Sequence, residues 1–421
     1  MRTALLAVCA TLPAHGAVAQ ETINYASISG RVTDPSGGVV AGAQVTARQT
    51  DTNLTGEATT DGEGRFRFPY LKVGPYEITV RQAGFADATH QLTLTVASAF
   101  ELPVSLALAT LENVVSVTAP AIVIEAARSQ IAGTISQTEV QNLPLNGRNF
   151  LDLALLVPGV SPPNVGGTQL FAETSAVAGA GISVGSQRNF SNNFIVDGLS
   201  ANDDAAGLSG IPYGVDAVDQ FQVVTSGGQA ELGRALGGYI NVLTKSGTNA
   251  AHGDVYDFVR DDRFNAPNAL TITPANPSGT TLPMTQKQYG ASLGGPIVRD
   301  RTFYFSNVEQ RKLDQSGLVT ISPPSVSVIN ARLAAVGYPG SPIATGVYAN
   351  PVHSINFLGK VDHQVNGRDQ FTVRYSLYDV TSSNSRGAGA LNAPSASAGL
   401  DNIDQTIAVS NTVTLSPRTV N

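Results

Sequence analysis

The residues whose types and spacing could do chemistry are few. Gly181-Ile182-Ser183-Val184-Gly185 spells a nucleophile elbow, in which a sharp strand-to-helix turn presents a serine hydroxyl to an oxyanion hole. Here it follows a Gly/Ala loop and precedes Asn-rich polar sequence, so neither the strand nor the helix is in place. A zinc hydrolase needs paired His and Glu ligands. None of His15, His90, His252, His353 and His363 has a Glu or a second His three or four residues away. Asn202-Asp203-Asp204 could touch calcium, but it lacks the EF-hand spacing and reads as a solvated loop. No P-loop, G-x-G-x-x-G or H-E-x-x-H pattern occurs. The single cysteine, Cys9, excludes a disulfide scaffold and a thiolate metal site. The expectation is a protein that is not an enzyme, with no catalytic residue, no metal site and no cofactor.

The frame that would position such residues is mostly strand. The chain has 421 residues, 42% of them hydrophobic and only 14% charged, with 42 Gly, 23 Pro and no Trp. Coiled coils and long bundles are excluded by that Gly and Pro content. The formal charge of −7, without any Lys/Arg cluster, excludes nucleic acid as a partner, because phosphate contacts need basic groups.

Residues 1–19 have the form of a signal peptide. Arg2 precedes the apolar run Ala4 to Leu12, and Ala17-Val18-Ala19 fits the small-x-small cleavage rule. No later stretch is long and apolar enough for a transmembrane helix.

Over 26–108, short alternating strands are broken by turns. Ile28, Gly30 and Val32 alternate with Ser29 and Arg31, and Asp34-Pro35-Ser36-Gly37-Gly38 marks a turn. Tyr76, Ile78 and Val80 form one face, and Leu102, Val104, Leu106 and Leu108 another. The pattern predicts a small β-sandwich. Its stretches Gly30-Arg31-Val32-Thr33-Asp34, Thr60-Asp61-Gly62-Glu63-Gly64-Arg65-Phe66 and Val73-Gly74-Pro75-Tyr76-Glu77-Ile78 resemble the carboxypeptidase regulatory-like domain, which implies a carbohydrate-binding-like fold and no proteolysis.

The linker 111–120 carries Glu112, Asn113, Val114, Val115, Ser116, Val117 and Thr118. An acidic residue before a β-branched run can add as a strand to a partner's sheet edge. The run resembles a TonB box, with Asn113 where the family more often has Thr. The alternative is a plain connecting strand.

Over 122–249 the composition shifts to Gly, Asn and short helices. Asn146 is placed to cap a helix whose face is Phe150, Leu153, Ala154 and Val157. Leu143-Pro144-Leu145-Asn146-Gly147-Arg148-Asn149-Phe150, Asn193-Phe194-Ile195-Val196-Asp197-Gly198, Glu231-Leu232-Gly233-Arg234 and Gly237 to Asn249 resemble the plug of a TonB-dependent receptor of the Oar-like group. The resemblance implies a plug domain with a mixed sheet inside a barrel. Arg148, Asp197, Gly198, Gly237 and Gly238 are its motif positions. Arg148 and Asp197 are expected to lock the plug by structural pairing, and Gly237 and Gly238 to let its backbone approach the barrel wall.

From 251 to 421 six strands are expected: His252 to Arg260, Gln286 to Ile297, Arg301 to Arg311, Pro351 to His363, Gly367 to Tyr378 and Asn402 to Leu415. Each is near the roughly 9 to 11 residues that a tilted strand needs to cross a bilayer. Phe371, Val373, Tyr375 and Leu377 alternate with Thr372, Arg374, Ser376 and Tyr378. Ile355, Phe357, Gly359 and Val361 alternate in the same way with Asn356, Leu358, Lys360 and Asp362. Long and tight connections take turns, as in outer-membrane barrels, with Asn366-Gly367 as a hairpin pair. Phe303, Tyr304, Phe305, Tyr375 and Tyr378 suit an interfacial aromatic girdle, or else pack against the plug.

Six strands do not close a plugged barrel of about 22 strands, and open edges in hydrocarbon are costly. The expectation is therefore a mainly β, N-terminal part of a longer receptor: a small β-sandwich, a plug domain with a mixed sheet, and an incomplete antiparallel transmembrane β-barrel. The resemblance implies a receptor in the Gram-negative outer membrane, its N-terminal domain periplasmic. Its partners would be the TonB complex of the inner membrane, the lipid bilayer and a solute: an oligosaccharide, a peptide or a metal chelate. The rival reading is a surface carbohydrate-binding or adhesion protein without transport.

Overall fold

The computed structural model describes residues 23–109, 119–120, 130–145, 147–162, 181–202, 209–228, 233–267, 281–416 and 419–420. The leader 1–19, Asn146, Asp203, Asp204, Glu231, Leu232 and the linker run Glu112 to Thr118 lie outside the described residues.

The first unit contains β1 (Ala26–Thr33), β2 (Gln44–Gln49), β3 (Thr55–Thr59), β4 (Arg65–Leu71), β5 (Gly74–Arg81), β6 (Ala88–Leu94), β7 (Ala99–Glu101) and β8 (Val104–Ser105). One sheet runs β4-β1-β7 with β8 also on β1, and the other runs β3-β2-β5-β6. The period-two pattern closes the two sheets over Ile28, Val32, Val45, Ile78, Val80, Leu94 and Leu106, all fully enclosed. At the first turn, Asp34 Oδ1 accepts from the N–H groups of Ser36 and Gly38 at 2.9 and 2.8 Å, which is why an Asp opens that cluster. Leu108 leaves the expected face and is exposed, because β8 ends at Ser105. Beyond the linker run, β9 (Ala119–Pro120) adds in parallel to the β6 edge at His90 and Gln91.

The second unit contains β10 (Ile131–Ile135), α1 (Gln137–Asn142), β11 (Val160–Ser161), β12 (Ser183–Val184), β13 (Asn193–Val196), β14 (Leu199–Ser200), β15 (Val218–Ser226) and β16 (Tyr239–Thr244). The main sheet has the order β10-β15-β16-β13-β14. It is mixed, since β13 and β16 are parallel and the other pairs antiparallel. The expected α-helix is instead a 3-10 helix over Phe150–Leu156, with Asn149 as its cap, its side chain accepting from the Leu151 N–H. Its apolar face is as expected: Phe150, Leu153, Ala154 and Val157 are buried.

The third unit is one antiparallel ladder, β17 (His252–Asp261), β18 (Met284–Val298), β19 (Thr302–Val319), β21 (Val352–Asn366), β22 (Asp369–Arg386), β23 (Ala398–Ser416) and β24 (Thr419–Val420), with β20 (Gly346–Ala349) on the far end of β19. The connections 262–283, 320–351 and 387–397 are long, and 299–301 and 367–368 are tight. The helix α2 (Pro323–Ala335) lies in one long connection. The second tight turn is Gly367-Arg368, one position later than the expected Asn366-Gly367 pair. Asn366 pairs with Asp369 in the ladder, and its Oδ1 accepts from the Arg368 N–H at 2.9 Å, an Asx turn in place of a left-handed Asn-Gly turn.

The polarity of this ladder is inverted. Val255, Val259, Ile403 and Ile407 stand 87%, 63%, 57% and 73% exposed, whereas Lys360, Asp362 and Arg374 are 8%, 4% and 2% exposed. An outward face this rich in large apolar side chains, broken by charges such as Asp257 and Lys287, is costly in water and suits lipid. The inward face packs on the mixed sheet, and one cluster joins Phe194, Val196, Phe221 and Ile240 to Phe305, Leu358, Tyr378 and Val380. Phe303, Phe305 and Tyr378 therefore do not belong to a girdle, because their parity turns them inward, where they are buried. Tyr375 is on the outer face beside Phe357, ring centroids 6.1 Å apart.

Candidate functional site

The candidate site is the junction where wall, mixed sheet and sandwich meet. It begins with a problem on the wall. Lys360 and Arg374 are directly opposite each other across β21 and β22, and both face inward. Like charges in that position repel, and with both side chains nearly enclosed the cost is high unless a counter-charge intervenes.

Asp197 supplies it. Asp197 and Gly198 are the central residues of the hairpin between β13 and β14, with φ of 47° and 85°. Two successive positive φ values define the type I′ turn that an Asp-Gly pair favours. The turn aims the carboxylate at the wall. Arg374 Nη1 donates to Asp197 Oδ2 at 2.8 Å, and Lys360 Nζ lies 3.5 Å from Oδ1. The Thr244 N–H and hydroxyl donate to the same carboxylate at 3.0 and 2.6 Å. Lys360 Nζ also donates to the Thr244 carbonyl at 3.1 Å. Burial alone would raise the Asp197 pKa, but Lys360, Arg374 and the Thr244 hydrogen bonds outweigh it and hold it below the usual aspartate value.

Asp362, one wall position further toward the tight turns, is matched from the sandwich. Lys72, between β4 and β5, places Nζ 3.2 Å from its Oδ1. Around this pair, the Tyr25 hydroxyl is 3.1 Å from Thr412 Oγ1, and Asn53 Nδ2 donates to Asp300 Oδ1 at 3.0 Å. The sandwich also holds the mixed sheet. The Val96 N–H donates to Gln220 Oε1 at 2.9 Å, and Val96 and Ala97 pack on Leu243. The sandwich thus sits at the tight-turn end of the ladder.

Arg148, in a left-handed conformation with φ 54°, pairs with Asp216 in its own unit. Its guanidinium lies 3.9 Å from the Phe258 ring centroid and 5.1 Å from that of Tyr256, both on β17. Burial pushes the Asp216 carboxyl up more strongly than Arg148 pulls it down. Gly237 and Gly238 do not approach the wall. A Cβ on Gly237 would meet Asn192 Oδ1 at 2.5 Å, and one on Gly238 would meet Val184 Cγ1 at 2.7 Å and the Val224 carbonyl at 2.8 Å. All three neighbours belong to the mixed-sheet unit. The glycine that lets the backbone reach the wall is Gly247, where a Cβ would overlap the carbonyl oxygens of Tyr304 and Gly295.

Ser183 sits on the two-residue strand β12 and donates its hydroxyl to the Gln187 carbonyl at 2.7 Å. Asn202 uses its amide to hold Phe194 N–H and the Asn192 carbonyl at 2.8 and 3.0 Å. Both act as braces. Lys72, Lys360, Asp362 and Arg374 were not marked as site residues by the sequence. Parity placed the last three on the wet face, but nothing local names their partners.

Residues 27–107 match the family described as carboxypeptidase regulatory-like domain, and residues 243–355 match the family described as outer membrane beta barrel domain. The TonB-dependent transporter Oar of Myxococcus xanthus is 26% identical over 399 residues, covering 86% of this chain and 34% of its own length. The chain resembles the Oar-like TonB-dependent receptors. This Oar-like chain spans about a third of that relative's length, and its barrel is not closed. Among solved structures, the outer membrane transporter YddB from Escherichia coli shares 13% identity at a TM-score of 0.48, over 68% of this chain and 37% of that one. The siderophore receptor PirA from Acinetobacter baumannii shares 17% at 0.45, over 67% and 37%. The barrel match and the transporter relative place the Oar-like chain in the Gram-negative outer membrane, and a transporter relative agrees with a protein that is not an enzyme.

Proposed function

We propose that the chain is the plug-bearing part of an energised solute receptor. In this reading residues 1–19 direct export, 26–108 form a periplasmic sandwich, 111–120 link it to a plug spanning 122–249, and 251–421 form the first strands of the barrel. External loops capture a solute. The TonB complex pairs with Glu112 to Thr118 as an added strand and pulls, which displaces the plug. The observation that carries the reading is the inverted ladder: an apolar outer face, with Lys360 and Arg374 turned inward onto Asp197 of a separate folded sheet. A plug held by ion pairs can exchange those contacts for water as it moves, which a purely apolar seam cannot do. No covalent step is needed. The solute is an oligosaccharide, a peptide or a metal chelate, and the sandwich favours an oligosaccharide.

A photo-cross-linking residue at Val115 tests this in cells. TonB should be trapped there, and deletion of Glu112 to Ala119 should abolish uptake while surface binding persists. Correctly inserted protein that traps no TonB would leave the adhesion reading in its place.

A further inference from the structure

The chain that leaves the mixed sheet is held between sandwich and wall. After β16 it runs from Thr244, which bonds Asp197, past Gly247 on the wall to Asn249. The Asn249 N–H donates to the Asp51 carbonyl of the sandwich at 2.9 Å. Its side chain meets Asp300 of a tight wall turn twice: Nδ2 donates to Asp300 Oδ1 at 2.7 Å, and Oδ1 accepts from the Asp300 N–H at 2.8 Å. Asn53 of the sandwich donates to that same Asp300 Oδ1, so one carboxylate of the wall ties down both neighbours.

The hairpin that carries Asp197 is covered by the same domain. Ile23, just ahead of β1, packs on Ile195 and Val224, and Asn241 Nδ2 donates to the Ile23 carbonyl. A Cβ on Gly198 would overlap the Asn24 amide. On the wall, Lys360 and Asp362 are neighbours on the inward face of β21. The cation that holds Asp197 therefore stands beside the carboxylate that seats Lys72. With Lys72 gone, Asp362 would draw Lys360 toward itself and leave Asp197 to Arg374. The sandwich nevertheless keeps a core of its own, drawn from Ala26 to Leu106, whereas the core of the mixed sheet merges with the wall. It meets the other units through hydrogen bonds, the Lys72–Asp362 pair and small apolar contacts. Such contacts can be exchanged for water while the domain stays folded.

We infer that the seated sandwich is a latch on the plug: the mixed sheet leaves the wall toward the tight-turn end only after the sandwich has lifted away. The inference rests on the transport reading above and adds an order of events, in which a pull on the linker first unseats the sandwich.

The test is hydrogen exchange on the full chain purified from outer membranes in detergent, and it needs neither TonB nor a solute. Lys72→Met alters no residue of the mixed sheet, yet it should speed exchange over 193–200 and 240–244 by about tenfold. Val45 and Ile78, inside the sandwich, should keep their protection. Coupling is reciprocal, so Asp197→Asn should speed exchange at Asn53 and Val96 by a similar factor. Asn53→Cys together with Asp300→Cys, bridged by a short reducible thiol cross-linker, holds the sandwich down by a covalent tie; Cys9 of the leader is the sole native cysteine. Bridging should slow exchange over 193–200, and reduction should reverse it. This pair also decides the matter if Lys72→Met unfolds the sandwich. A mixed sheet whose exchange is the same in Lys72→Met as in the parent, and the same bridged as reduced, overturns the inference. TonB trapped at Val115 alongside uncoupled exchange sinks only the latch; coupled exchange in a chain that traps no TonB sinks only the transport reading.

Discussion

Lys72 of the sandwich and Asp362 of the barrel wall form a 3.2 Å ion pair with 19% and 5% of their side-chain surfaces exposed. The N-terminal domain is therefore seated on the barrel through an ion pair between units, at a carboxylate that also accepts from the Thr372 hydroxyl of the wall at 2.8 Å. Lys72→Met should leave Asp362 without its ion-pair partner, with only the Thr372 hydroxyl and the neighbouring Lys360 charge to support it, and destabilise the seated domain by about 3 kcal/mol. Hydrogen exchange over 25–107 would report this as faster exchange at Tyr25, Asn53 and Val96. Adding Asp362→Leu should recover much of the loss, since an apolar pair can replace a buried ion pair.

The Asp197 cluster predicts a pH dependence with a definite sign. Its folded pKa lies below the ordinary 3.8, so its contribution is fully present above about that pH and is lost as pH falls through the lowered value. Unfolding in detergent should show wild type and Asp197→Asn differing by the same amount at pH 7 and pH 5. The difference should shrink below pH 3.8 as the wild-type carboxylate gains its proton. A gap that narrowed already between pH 7 and pH 5 would mean that Lys360 and Arg374 do not hold the carboxylate.

Arg148 tests whether stacking matters beside charge. Its guanidinium pairs with Asp216 and lies over two rings of β17 at 3.9 and 5.1 Å from their centroids. Arg148→Lys keeps the charge and loses the planar stack, and should lower stability by about 1 kcal/mol. Raised salt should not erase that loss, whereas it should erase a loss made of surface charge alone.

Gly247 is where the chain leaving the mixed sheet presses on the wall. Gly247→Ala would force the Tyr304 or Gly295 backbone to move and should cost about 1–3 kcal/mol. Gly367→Ala, in an open turn where a Cβ meets nothing within 4 Å, should be nearly neutral in the same melt.

The sequence carried the repetitive parts of this fold because they obey one rule each. Period-two alternation placed Lys360, Asp362 and Arg374 on one face and Phe357 and Val361 on the other. The alternation of long and tight connections gave the two ends of the ladder. Partners across units were not legible. Asp197 reaches Arg374 across 177 positions, and Lys72 and Asp362 lie in different units, so no local pattern couples them. The five aromatics divided between the two readings for a related reason: Phe303, Phe305 and Tyr378 share the parity of the inward face and pack there, while Tyr375 stands outward beside Phe357, a split that an aromatic count alone ignores. Gly237 and Gly238 had the right residue type for a close approach, but sequence could not say that the approach is to Val184 and Asn192.

The central claim is that the outer face of the ladder meets lipid. Spin labels at Phe357, Ile403 and Ile407, compared with inward Thr406 and with Val336 at the end of α2, test it by collision with oxygen and with an aqueous nickel chelate. The account predicts that the three outward sites in reconstituted vesicles are relaxed by oxygen and shielded from nickel, while Val336 shows the opposite. Nickel reaching Ile403 and Ile407 as readily as Val336 would contradict it.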